Sequence, residues 1–91
     1  MISEELNIKV ARIYKIPKDG AIKAFVDVSI NDALLIKGFR VVSGPRGLFV
    51  TMPQEKGKNE RWYNTVHCLS NDIRAFVADR VLEAYQQENH G

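Results

Sequence analysis

The sequence predicts an α+β domain: an antiparallel meander of about five strands with one C-terminal helix packed on one face. Three observations predict it. Apolar and polar residues alternate in several short runs up to Met52, the period of two that a half-buried strand imposes. Turn signals rich in Gly, Pro, Asn and Asp separate those runs. Beyond Ser70 the apolar spacing lengthens to that of an amphipathic helix.

Each element follows from its residues. Leu6, Ile8 and Val10 alternate with Asn7, Lys9 and Ala11, which reads as a first strand. Pro17 and the pair Asp19-Gly20 then supply a turn. The second strand places Ile22, Ala24, Val26, Val28 and Ile30 on one face and Lys23, Phe25, Asp27 and Ser29 on the other. Asn31-Asp32 is a two-residue turn, although Gly is missing at its second place. A third strand runs from about Leu34 to Val42, with Gly38 marking a bulge.

Gly44-Pro45-Arg46-Gly47 has Pro where a type I turn wants it and Gly at its last position. Folding 39–43 onto 48–52 about that turn pairs Val41 with Val50 and Phe39 with Met52, a core face shared with Leu48. The opposite face pairs Val42 with Phe49 and Arg40 with Thr51. Pro53 ends this fourth strand because it cannot donate to a ladder. Residues 54–60 read as a polar loop and about 61–69 as a fifth strand of poor alternation. Ile73, Phe76, Val77, Val81, Ala84 and Tyr85 then form the stripe of a helix over about 71–87, capped by Ser70 or Asn71. Residues 88–91 read as a frayed tail.

Ninety-one residues bound the chain to one domain, 1–91, near the lower size at which a lone core is comfortable. Its 45% hydrophobic and 26% charged content is that of an ordinary globular domain. Net charge is only +2, but from Lys9 to Lys58 ten basic residues face four acidic ones. A basic sheet-and-loop surface suits a polyanion. The lone Cys68 excludes an internal disulfide, and with two histidines it cannot build a zinc site. The acidic opening "MISEELNIKV" is unlike a signal peptide, and no apolar run is long enough to cross a bilayer. A cytoplasmic protein without membrane attachment is expected.

No motif of catalysis survives inspection. Adjacent His67 and Cys68 would point to opposite faces of a strand, so they make a poor base and nucleophile. The Gly-Pro-Arg-Gly turn lacks the frame of a phosphate loop and opens a strand instead of a helix. "RGLFVTM" is a defective match to the aromatic strand of an RNA-recognition motif, whose first helix is also missing here. We therefore expect no enzyme, cofactor, metal or small-molecule substrate.

The second sheet face, with Phe25, Val42 and Phe49, is covered by nothing in the chain. It is expected to meet a second copy, the other reading being a base-stacking platform. Arg74 and Arg80 lie about 240° apart on a helical wheel and read from spacing alone as solvated. Their functional reading is phosphate contact, supported by Lys56 and Lys58.

Three blocks, "FRVVSGPRGLFVTMP" (39–53), "VHCLS" (66–70) and "IRAFVADRVLEAY" (73–85), carry a resemblance. The chain resembles the stage V sporulation protein G (SpoVG) family of bacteria, also called septation proteins. The resemblance implies a homodimer joined through the sheet that binds DNA or RNA and regulates expression in sporulation- and septation-type programmes. Arg74 matches the family's helix arginine. Members commonly carry Lys where this chain has Phe76, and Ser or Thr just before the arginine, where it has Asp72 and Ile73. Nucleic-acid contacts are thus expected from Arg74, Lys56, Lys58, Arg80, Arg46 and Arg40, and dimer contacts from Phe25, Val42 and Phe49. The rival expectation is a protein-interaction module that does not touch nucleic acid.

Overall fold

The computed structural model describes residues 6–17 and 19–90, without the side chains of 89 and 90. The expected features at 1–5, Lys18 and Gly91 lie outside the described residues. Four strands form one antiparallel sheet in the order β1-β2-β3-β4: Ile8–Lys15, Ile22–Ile30, Leu34–Gly44 and Gly47–Thr51. A separate two-stranded ribbon follows, β5 (Gln54–Lys56) and β6 (Trp62–Asn64). The helix α1 (Asn71–His90) closes the chain.

Turn chemistry sets the register. Asn31 and Asp32 both take left-handed backbone angles, φ 55° and 52°, and the Ala33 amide donates to the Ile30 carbonyl at 2.9 Å. Positive φ at both central residues is what a type I′ hairpin demands, and Asn and Asp tolerate it without Gly. At the next turn Gly44 pairs with Gly47. The register beyond it is the expected one: Val41 opposite Val50, Val42 opposite Phe49 and Arg40 opposite Thr51.

Three bulges decide which side chain faces which way. The first falls at Ala11, because Val10 pairs with Val28 but Arg12 with Asp27. A strand that kept strict alternation would turn Ile13 out. The extra residue returns it to the core side, beside Val26, and sends Arg12 and Tyr14 to the far side. The second falls at Lys23, between the pairs Ile22–Val42 and Ala24–Val41. Ile22, expected with the core residues of its strand, therefore shares the far face with Val42. The third is the expected bulge at Gly38: Val26 pairs with Phe39 and Val28 with Ile36. Gly38 has φ +103°, and a Cβ there would lie 3.4 Å from the Cβ of buried Pro53.

The core lies between the sheet and the helix. Cross-strand rows Ile13–Val26–Phe39 and Ala24–Val41–Val50 meet Val77, Val81 and Tyr85 of α1. Ala24, Val26, Val28, Val41 and Val81 are fully buried. Burying such a side chain contributes about 1.5–3 kcal/mol. Ser70 is the N-cap, its Oγ accepting from the Ile73 amide at 3.3 Å.

The expected fifth strand over 61–69 is not formed. Only Trp62–Asn64 is extended, and its partner is Gln54–Lys56, which sequence reasoning assigned to a loop. Residues 65–69 are irregular, because the Thr65 amide turns back to the Pro53 carbonyl at 2.8 Å and closes the neck of the ribbon. The alternation argument at His67–Cys68 therefore fails, although His67 is exposed and Cys68 half-buried, its Sγ 3.8 Å from Met52 Sδ. The helix also runs to His90 instead of fraying from residue 88.

Gly38→Ala would force an L side chain into the left-handed region against Pro53, a cost of about 1–2 kcal/mol. A melting temperature lower by about 5–10 °C is expected in a thermal scan followed by circular dichroism. A midpoint within a degree of the parent would show that the bulge does not depend on that angle.

Candidate nucleic-acid interface

The far face is built from rows set by the register. One row crosses all four strands: Tyr14 pairs with Phe25, Phe25 with Arg40 and Arg40 with Thr51. The next row toward the Pro45-Arg46 turn is Ile22–Val42–Phe49. On the other side stands the pair Arg12–Asp27. Gly44 leaves the space in which the Phe49 ring lies, since a Cβ there would approach Phe49 Cε1 to 2.8 Å.

The ribbon reaches this face from the β4 edge. Trp62 sits over Arg40, whose guanidinium carbon is 5.2 Å from the indole centroid and 5.8 Å from that of Phe25. Both distances fall within cation–π range. Arg40 Nε and Thr51 Oγ1, opposite each other in the ladder, are buried and have no hydrogen-bond partner among the described residues. Each such atom costs about 1–3 kcal/mol of stability. Asp27 is 5% exposed, and its Oδ2 accepts only a long contact of 3.5 Å from the Tyr14 hydroxyl. Arg12 donates to that hydroxyl at 3.2 Å. This hydrogen bond, aided by the negative charge of Asp27, raises the Arg12 guanidinium above its ordinary range.

At the β4 edge, the neck of the ribbon and the start of α1 enclose a cleft of about 280 Å³ lined by Phe49, Thr51, Gln54, Asn64 and Arg74. Gln54 Nε2 donates to Asn64 Oδ1 at 2.9 Å. Arg74 brings a cation to two carboxamides and to a floor of Phe49, Val50 and Met52.

The other expected contact residues are dispersed. Arg80 forms an ion pair with Glu83 at 3.4 Å and stacks on Phe76 at 4.8 Å. It lines a groove with Lys9 beside β1, at the opposite sheet edge from Arg74. Phe76 thus serves as the seat of Arg80. Lys56 is held by Glu60 at 2.8 Å. Lys58 lies in the loop of the ribbon and Arg46 at the tip of the β3–β4 turn, both exposed. Among the described residues Arg40, Arg46, Lys58 and Arg74 form no ion pair. Of the expected dimer residues, Phe25 is 37% and Phe49 45% exposed, while Val42 is half-buried.

Sequence reasoning missed Tyr14, Trp62, Thr51, Gln54 and Asn64. A bulge at Ala11 would have revealed Tyr14, but no glycine marks it. Nothing local placed Trp62 over Arg40, since that contact depends on the direction the ribbon takes.

Among the described residues no cluster of three or more His, Cys, Asp or Glu could hold a metal ion, and no helix is long and apolar enough to cross a membrane.

Comparison with known proteins finds a family match over most of the chain. The SpoVG family profile matches residues 6–87. A protein of Archaeoglobus fulgidus named "Putative septation protein SpoVG" is 38% identical over 77 residues, covering 85% of this chain and 91% of its own. A relative of the same name from Lachnospira eligens is 31% identical over 85 residues, covering 93% and 97%. One from Staphylococcus carnosus is 33% identical over 76 residues, covering 84% and 71%. With a profile that spans sheet, ribbon and helix alike, this chain belongs to the SpoVG family.

Proposed function

We propose that the chain is a nucleic-acid-binding regulator, working as a homodimer in the cytoplasm and acting on expression in programmes of the septation and sporulation type. The observation that carries this reading is the cleft at the β4 edge. There Arg74, which forms no ion pair among the described residues, borders Thr51, Gln54 and Asn64. A guanidinium free of carboxylates suits a phosphate, and carboxamides suit sugar and base edges. Arg46 and Lys58 extend the cationic surface toward the turn and the ribbon loop. Arg80 and Lys56 contribute less, because Glu83 and Glu60 neutralise them.

The apolar row Ile22–Val42–Phe49 supports dimerisation at the turn end of the far face. It contains no charge. A homodimer would hold two weak phosphate-binding clefts together, which raises affinity through effective concentration. A protein-interaction module remains the competing class, and salt separates the two, since phosphate contacts weaken steeply with salt while apolar docking does not.

Arg74→Ala is expected to weaken binding of a labelled oligonucleotide and to lower the salt slope by about one, with an unchanged circular dichroism spectrum. Unchanged affinity would remove Arg74 from the contact, and no binding by the parent at low salt would favour the interaction module. Phe49→Asp places a charge in the proposed dimer row and is expected to yield folded monomers in sedimentation equilibrium. A folded dimer from that variant would locate the interface elsewhere.

A further inference from the structure

Three large rings stand exposed on one part of the far face. Tyr14 is 44% exposed, Phe25 37% and Trp62 55%. They are not scattered: Tyr14 and Phe25 are cross-strand neighbours, and Phe25 and Trp62 both lie against the Arg40 guanidinium. The row ends at Thr51, which also lines the cleft of Arg74. A path therefore runs from a phosphate-type contact at Arg74, past Thr51, onto a cation set among aromatic rings.

We propose that Tyr14, Phe25, Arg40 and Trp62 form a stacking platform for the unpaired bases of single-stranded nucleic acid. This rests on the nucleic-acid reading above and names the class of strand. Rings and a guanidinium plane offer faces, and only an unpaired base can offer a face in return; a duplex presents edges and phosphates. Charge complementarity selects nucleic acid over a second copy at this row. Arg40 lies in the row and Arg12 beside it, and neither forms an ion pair among the described residues, so the row offers cations to a polyanion. The buried Asp27 adjoins the row beside Arg12, where its Oδ2 contacts the Tyr14 hydroxyl.

The chain has a single tryptophan, so intrinsic fluorescence reports on the platform itself. The protein is titrated with an unstructured 12-nucleotide RNA, the same sequence as DNA, and the duplex formed with its complement. Saturable quenching of Trp62 by the single strands, with affinity at least about tenfold above that for duplex, is the expected result. Tyr14→Leu should weaken single-strand binding about tenfold and leave the salt slope unchanged, unlike Arg74→Ala. Trp62→Ala, at an exposed ribbon position, should do the same when binding is followed by anisotropy of a labelled strand.

Duplex binding as tight as single-strand binding, or binding that leaves Trp62 unquenched, would overturn the platform while the nucleic-acid reading stands. Absence of all binding at low salt would overturn both. Conversion of a dimer to folded monomers by Trp62→Ala or Tyr14→Leu would assign the row to a second copy and likewise overturn the platform.

Discussion

One helix must cover one face of a four-stranded sheet, and every other feature of this chain is arranged around that packing. Val77, Val81 and Tyr85 reach the sheet only because its core side is lined with small and β-branched residues, Ala24, Val26, Val28 and Val41. Such side chains present a low, regular surface on which a single apolar stripe can settle. Among the described residues the buried apolar side chains form one cluster, and in a chain of this length its integrity decides stability. The packing also leaves the far face to other uses.

The bulges are what let one face be core throughout. Strands of eight to eleven residues that twist under a helix do not keep strict alternation. Each bulge restores the apolar set to the core and delivers a different residue to the far side. Ala11 sends Tyr14 there, Lys23 sends Ile22, and Gly38 keeps Arg40 there next to Phe25. The aromatic and cationic row is thus a product of the same corrections that complete the core. It carries a cost, since Arg40 Nε and Thr51 Oγ1 are desolvated without partners.

The ribbon gives the β4 edge its character. Closed at its neck by Thr65 and Pro53, it carries Gln54 and Asn64 to the start of α1 and Trp62 to the sheet face. One short excursion thereby joins the cleft of Arg74 to the row of Arg40. Phe76 holds Arg80 against the helix and away from that cleft, so the cationic contribution of α1 to the cleft is Arg74.

The sequence by itself determined the fold class, the order of the first four strands, the register across Gly44–Gly47, the bulge at Gly38 and a cap at Ser70 or Asn71. These depend on local chemistry: which residues tolerate positive φ, which lack an amide hydrogen, and whether apolar residues recur at two or at three and four. The tertiary structure alone decided the rest. Bulges at Ala11 and Lys23 have no glycine to announce them and arise from fitting twisted strands under a helix. Gln54–Lys56 and Trp62–Asn64 pair because the chain turns back at Pro53 and Thr65, a contact between residues twelve apart with no periodic signature. For the same reason Arg74 was legible as a cation on a helix, while its partners in the cleft were not. Which side chains share a surface depends on the path of the backbone, and that path is set by packing as a whole.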